Sequence, residues 1–171
     1  MARALLLTGT LASGKTAVAV EMGWILSRRG LAVAVVDLDW LAWVHPTALG
    51  WDGARTDRLI ADNLASLAAN YLAAGIDHLV LARTVIRPPA IELIRAALPA
   101  SELRVIRLRA SSATIEARLR HRDSGRELEE HLGEYARYAD LVAAVPADAE
   151  VDNEGASAAE TAARVVSLAG W

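Results

Sequence analysis

The sequence of 171 residues contains no cysteine and no phenylalanine, and Lys15 is its only lysine. Without cysteine, the chain has no disulfide framework, no thiolate metal ligand and no thiol nucleophile. Its net charge of −3 offers no basic field for nucleic acid. No apolar run approaches the length of a membrane span, and the short N-terminal run suits a strand better than a secretory signal. We therefore expect a cytoplasmic protein without nucleic-acid or membrane partners, as a monomer or a homodimer.

Residues 9–16, GTLASGKT, match the phosphate-binding pattern G-x-x-x-x-G-K-[ST]. Its glycines permit backbone angles that let successive N–H groups curl around an anion. Lys15 is placed to reach the β- and γ-phosphates, and the Thr16 hydroxyl to hold Mg²⁺. The alternative, a glycine-rich turn that binds nothing, does not explain the strand-like segment before the motif and the helical segment after it. The predicted nucleotide-binding residues here are Gly9, Thr10, Leu11, Ala12, Ser13, Gly14, Lys15, Thr16 and Ala17.

Strand-like apolar segments alternate with helical patterns along the chain, without repeats or linkers. The predicted strands cover residues 3–8, 31–39, 78–82, 103–109 and 150–153. The predicted helices cover about 17–29, 56–74, 88–98, 112–122, 127–144 and 157–170. This alternation predicts one α/β domain over residues 1–171, with a five-stranded parallel sheet between two layers of helices. The active site is expected at the carboxyl ends of the strands.

Two carboxylates, Asp37 and Asp39, end the second predicted strand. If both residues stay extended, their side chains point to the same face and converge beside the γ-phosphate. We assign Asp37 to the Mg²⁺ side and Asp39 to the proton of an acceptor hydroxyl. The opposite order, with Asp37 as the base, stays open. The alternative to both is that the two residues are solvated loop carboxylates.

Two absences narrow the class of P-loop protein. A GTPase base-recognition motif of the N-K-x-D type is impossible, because Lys15 is the only lysine. The third predicted strand ends in Ala82–Arg83, so the usual place of a Walker B carboxylate holds no acid, which disfavours an efficient motor ATPase.

Four stretches resemble the small P-loop kinases, namely adenylylsulfate kinase, shikimate and gluconate kinases and chloramphenicol phosphotransferase. They are GTLASGKT, VVDLD (35–39), ADNLASLAANYLAAG around Asn63, and LRASSATIEARLRHRD (108–123). The resemblance covers nearly the whole chain and implies the three-layer P-loop NTPase fold, with ATP and Mg²⁺ as cofactors. It also implies a lid over about 118–127 whose arginines contact ATP phosphates. The arginine pattern of adenylylsulfate kinase is not kept around Asn63, so that substrate is not carried over.

The resemblance and the position of the strand ends together nominate the remaining site residues. Arg118, Arg122, Arg126 and Asn153 are assigned to the nucleotide, and the first two also to catalysis with Lys15, Asp37 and Asp39. The acceptor residues are Asp39, Trp40, Trp43, Trp51, Arg58, Asn63, Arg83 and Arg87. Three alternatives stay open. The tryptophans could be packing residues, the lid arginines could form a solvated helix face, and Asn63 could be a core amide.

The sequence thus predicts an ATP-dependent, Mg²⁺-dependent phosphotransferase that acts on a hydroxyl of a small-molecule acceptor. A nucleoside or nucleotide kinase is the nearest alternative within the same class. From other classes, the chain could be a regulatory NTPase without a small-molecule acceptor, or a degenerate scaffold. The intact Lys15–Thr16 pair disfavours the scaffold.

Overall fold

A computed structural model describes residues 2–44, 52–98 and 101–171. Its strands are β1 (Ala2–Thr8), β2 (Val33–Asp37), β3 (His78–Ala82), β4 (Ser101–Arg109) and β5 (Ala149–Asp152). Its helices are α1 (Lys15–Arg28), α2 (Gly53–Ala73), α3 (Pro88–Ala96), α4 (Ser112–Arg122), α5 (Gly125–Ala144) and α6 (Ala158–Ala169). A 3₁₀ helix (Leu38–Ala42) follows β2 directly. No helix in these ranges is both long and apolar enough to cross a membrane.

The five strands form one parallel sheet in the order β2-β3-β1-β4-β5. Parallel strands need crossover connections, and a helix fills each of them. β1 and β3 are almost wholly buried because helices cover both faces of the sheet. The predicted α/β/α architecture with a five-stranded parallel sheet is confirmed.

Two hydrophobic cores flank the sheet. One lies between the sheet and the helices α2 and α3, and includes Leu6, Leu64, Leu81 and Ile94. The other lies between the sheet and the helices α1 and α6, and includes Leu5 and Met22. Neighbouring residues of β1 face opposite cores because side chains alternate along a strand. This packing holds the carboxyl ends of β1, β2 and β3 side by side.

The end of the second strand differs from the prediction. β2 stops at Asp37, and Asp39 lies in the 3₁₀ helix instead of continuing the strand. Asp37 Oδ1 accepts a hydrogen bond from the backbone N–H of Asp39 over 3.1 Å. Such a side-chain acceptor two residues back favours a turn over an extended chain. The expectation that alternation along a strand aligns the two carboxylates is therefore wrong.

Candidate active site

A cavity of about 570 Å³ opens at the carboxyl ends of the strands. The phosphate-binding loop, the 3₁₀ helix and the α4–α5 corner form its walls. The lining residues are Leu11, Ala12, Gly14, Lys15, Thr16, Ala17, Asp37, Asp39, Trp40, Trp43, Thr84, Arg118, Arg122, Glu127 and His131. The structure thus brings the loop, both predicted carboxylates and two lid arginines to one place. Thr84, Glu127 and His131 were missed by the sequence reasoning.

The loop 9–16 has the tight curl that its glycines predict. Gly9 and Gly14 have φ values of 151° and 89°, which L side chains rarely adopt. A Cβ on Gly9 would lie 2.6 Å from Ser13 Oγ and 2.8 Å from the carbonyl oxygen of Leu108. Ala12 also has a positive φ, 57°. A concave run of backbone N–H groups at the start of α1 suits the phosphates of a nucleotide.

Lys15 is buried beneath this loop, with only 8% of its surface exposed. Its Nζ donates to the carbonyl oxygen of Thr10 over 2.8 Å. Burial lowers the pKa of Lys15 to about 8, while Asp39 and Asp37 act in the opposite direction. A phosphate-binding lysine suggests a charge that faces solvent until the nucleotide binds, and the structure shows that this is wrong for Lys15. The loop wraps around the ammonium group, so the folded protein bears a desolvation cost at this position.

Thr16 and Asp37 contact each other across the cavity floor. The Thr16 hydroxyl donates to Asp37 Oδ2 over 2.7 Å. A hydroxyl oxygen keeps two acceptor lone pairs while its hydrogen is donated, so Thr16 retains the capacity to ligate a cation. Oxygen donors of this kind suit Mg²⁺, which keeps most of its water ligands. The donor set therefore fits the expected Mg²⁺, with Thr16 as a direct ligand and Asp37 orienting it.

Asp39 faces the cavity from the 3₁₀ helix. Partial desolvation by the cavity walls raises the pKa of its carboxyl group, and the charges of Lys15 and Arg83 oppose that rise. Arg83 is buried, and its Nε lies 3.7 Å from Asp39 Oδ1. Because just over half of the Asp39 side chain remains exposed, its carboxylate is open to a molecule entering the cavity.

A buried ion cluster stands behind Asp39. The carboxylate of Asp57, on α2, accepts from Arg83 Nη2 over 2.5 Å and from Arg87 Nε over 3.2 Å. Arg83 and Arg87 were predicted to bind the acceptor, but neither lines the cavity, and both are bound to Asp57. Asp57 was missed by the sequence reasoning, although it lies one helical turn before the apolar Ile60 and Leu64, with which it shares the buried face of α2. A charged residue on an apolar stripe is the signal that a buried partner exists.

Arg118 and Asn153 bind the back of the phosphate-binding loop. Asn153 is buried, and its Nδ2 donates to the carbonyl oxygen of Ser13 over 2.5 Å. Arg118 donates to the Asn153 carbonyl oxygen over 3.1 Å and to that of Ala12 over 3.4 Å. Both residues are therefore placed to hold the shape of the loop, and only Arg118 also lines the cavity.

A second cluster closes the cavity at the α4–α5 corner. Arg122 donates to Asp123 through Nε over 2.6 Å and through Nη2 over 2.9 Å. His131 Nδ1 lies 2.8 Å from the same carboxylate. These partners lower the pKa of Asp123 to about 2, Arg122 foremost. The sequence signal for part of this cluster is the spacing of Glu127 and His131 on α5, because residues four apart share one face of a helix. Asp123 ends α4 in an extended conformation, so only the packing of α5 against α4 brings it to His131.

Other predicted residues lie away from the cavity. Arg58 is exposed on α2 and pairs with Asp62, and Arg126 is exposed on α5 and pairs with Glu130. Asn63 Nδ2 donates to the carbonyl oxygen of Leu41 over 2.7 Å, so it ties α2 to the 3₁₀ helix. The structure therefore does not bring these three to the site. Trp51 lies outside the described residues.

No family model matches this chain, and no curated protein matches it in sequence. Solved structures do match in fold over nearly their whole length. An unliganded sugar kinase from Janibacter sp. HTCC2649 has a TM-score of 0.69 at 14% identity, covering 98% of this chain and 94% of its own. The Mycobacterium tuberculosis APS kinase CysC, in complex with AMPPNP and APS, has a TM-score of 0.67 at 22% identity, covering 99% and 98%.

The tunicamycin resistance protein of Deinococcus radiodurans has a TM-score of 0.64 at 15% identity, covering 99% of this chain and 96% of its own. This chain therefore shares the fold of these solved structures, among them a sugar kinase and an APS kinase.

Proposed function

We propose that this protein transfers the γ-phosphate of ATP to a hydroxyl of a small-molecule acceptor, with Mg²⁺ as the metal. The convergence of Lys15 and Asp39 in one cavity carries the proposal. Asp39 is an open carboxylate beside the phosphate-binding loop, so it is placed to take the proton of an attacking hydroxyl. The kinase neighbours, one of them solved with AMPPNP, support phosphoryl transfer in general.

In this mechanism the loop N–H groups and Lys15 bind the phosphates and stabilise the charge that develops on the transferring group. Asp39 accepts the proton of the acceptor hydroxyl as the oxygen–phosphorus bond forms and the bond to the departing ADP breaks. Thr16 and Asp37 would hold Mg²⁺, which neutralises phosphate charge when bound. Arg118 and Arg122 are placed to add positive charge from the lid side.

The test is transfer of label from γ-labelled ATP to a panel of alcohol-bearing metabolites. Asp39→Asn should reduce acceptor phosphorylation about 10²–10⁴-fold, the range for losing a positioned general base. Its affinity for ATP should stay near the wild-type value, because Asp39 is placed on the acceptor side. Asp62→Asn, an exposed change on α2, is the matched control and should retain full turnover. Label found only in inorganic phosphate would reject the kinase and favour the regulatory NTPase.

The cytoplasmic location, the absence of nucleic-acid partners and the monomer or homodimer state stay predictions. Fractionation, filter binding and light scattering check them in turn.

A further inference from the structure

Trp40 and Trp43 form a stacked pair at the mouth of the cavity. Their ring centroids are 4.7 Å apart and their planes differ by 17°. Both side chains are largely in solvent, with 67% and 62% of each residue exposed. Indoles normally bury most of their large apolar surface, so two exposed ones side by side need a reason.

The stacking follows from the local backbone. In a 3₁₀ helix the residues i and i+3 lie directly above one another, because each turn takes three residues. Trp40 lies within the 3₁₀ helix and Trp43 caps its end, so the two rings are brought face to face. The same turn holds Asp39, the residue before Trp40. The carboxylate of Asp39 and the two indole rings are therefore held by the same short 3₁₀ helix.

The 3₁₀ helix is fixed to the rest of the protein by three contacts. Leu38 is fully buried, and Asn63 binds the carbonyl oxygen of Leu41 over 2.7 Å. Asp37 caps the start of the turn. A pair held so rigidly presents its free ring face without further ordering, which lowers the entropy cost of binding a ligand.

We propose that the acceptor carries a flat aromatic ring, which stacks on the Trp40–Trp43 pair while its hydroxyl-bearing arm reaches Asp39. This rests on the proposed function and names the acceptor class. Aromatic rings stack on exposed indoles in offset geometry whatever their substituents. The neighbouring charges on this wall are the carboxylates of Asp37 and Asp39, which disfavour a negatively charged ring. A benzylic alcohol and a nucleoside both have this chemistry.

The order of the strands keeps the place for the aromatic ring of the acceptor apart from the place for the base of the nucleotide donor. The phosphate-binding loop follows the central strand β1, and the tryptophan pair follows β2 at one edge of the sheet. Arg118 and Asn153 lie towards β5, the other edge. The two sides of the loop therefore offer separate places for the donor and for the acceptor.

The test follows the indole N–H signals of the ¹⁵N-labelled full chain by NMR, without nucleotide. Benzyl alcohol and cyclohexylmethanol carry the same hydroxymethyl arm and differ in the planarity of the ring. Uridine and methyl ribofuranoside form the corresponding pair for a nucleoside. Benzyl alcohol or uridine should shift the Trp40 and Trp43 signals saturably, and its non-aromatic partner should bind at least about 5-fold more weakly. The pair that responds identifies the source of the ring.

Variants separate stacking from simple apolar contact. Trp40→Leu should weaken binding of the aromatic probe about 5- to 100-fold, and Trp40→Phe should restore much of it. Trp24→Leu is the matched control, because Trp24 is 59% exposed but lies on α1 in a separate groove. Equal binding of planar and non-planar probes, or equal effects of the Trp24 and Trp40 variants, would overturn the proposal. So would a response to AMPPNP alone, which would assign the pair to the nucleotide donor.

Failure of this inference and failure of the proposed function are distinguishable. The NMR titration needs no turnover, and the labelled-phosphate assay can detect transfer to an alcohol whether or not any probe stacks on the tryptophans. If a non-aromatic alcohol is phosphorylated and neither aromatic probe shifts the Trp40 signal, the kinase stands and the aromatic acceptor is rejected.

Discussion

Thr16 and Asp37 are joined by a hydrogen bond of 2.7 Å, although they lie 21 positions apart. The bond links the first turn of α1 to the end of β2, two strands away from β1 in the sheet. It orients the hydroxyl that we assign to Mg²⁺.

We expect Asp37→Asn and Thr16→Val to raise the Mg²⁺ concentration needed for half-maximal turnover. Loss of a residue that orients a metal ligand typically costs about 10–100-fold in metal affinity or activity. Thr16→Val removes the ligand itself, so its effect should be the larger of the two. The measurement is turnover against Mg²⁺ at fixed ATP, with Asp62→Asn as the control. An unchanged Mg²⁺ dependence in both variants would remove these residues from the metal site.

Lys15→Met should abolish phosphoryl transfer and yet make the nucleotide-free protein more stable. Lys15 has its pKa lowered from 10.5 to about 8 by burial, so at neutral pH its charge disfavours the folded state. The gain should be between about 1 and 3 kcal/mol, since the bond to Thr10 is lost as well. Urea denaturation at pH 7 with a chelator present measures it. A destabilised variant would mean that the Lys15–Thr10 bond outweighs desolvation.

The stabilities of the wild type and of Lys15→Met should also depend differently on pH, because folding is linked to proton binding by Lys15. Below pH 8 Lys15 is charged in the folded and the unfolded state, so the wild type bears the full cost. Between pH 8 and 10.5 the folded state has lost this proton while the unfolded state still binds it. The wild type should therefore gain stability relative to Lys15→Met over that window. A constant difference between the two proteins would contradict the shifted pKa.

Asp57→Asn should be strongly destabilising. Asp57 is buried and is the shared partner of Arg83 and Arg87, so its loss leaves the buried Arg83 guanidinium with only the more distant Asp39 as a counter-charge. Removing one member of a buried ion pair costs about 3–5 kcal/mol. Asp62→Asn, on the same helix, breaks an exposed pair with Arg58 and should cost about 0.5 kcal/mol or less. Similar denaturation midpoints for the two variants would show that the buried cluster contributes little.

The α4–α5 corner should become less mobile when nucleotide binds. Arg118 and Arg122 line the cavity from this corner, so phosphates would draw it down and exclude water. Amide hydrogen exchange over residues 120–128 should slow with AMPPNP, while exchange in α6 stays unchanged. Equal exchange at the corner with and without AMPPNP would indicate a static corner in place of a lid.

Much of the fold could be predicted from local patterns. The strand 78–82 matches β3, and 112–122 matches α4, because buried strands and capped helices leave short-range signals. The phosphate-binding loop was found for the same reason: its glycine spacing constrains the backbone over eight residues. The extended Asp37–Asp39 pair was wrong, since one side-chain hydrogen bond turned the chain where its composition suited a strand.

By itself, the sequence determined the α/β layering and the phosphate-binding loop, which depend on contacts between residues close along the chain. Only the tertiary structure decided which distant charges meet. Asp57 reaches Arg83 across 26 positions because α2 packs beside the end of β3. His131 enters the cavity because α5 folds back on α4 at Asp123. Lys15 is buried because the loop closes over it. Each of these depends on sheet order and helix packing, which the spacing of residues along the chain does not encode.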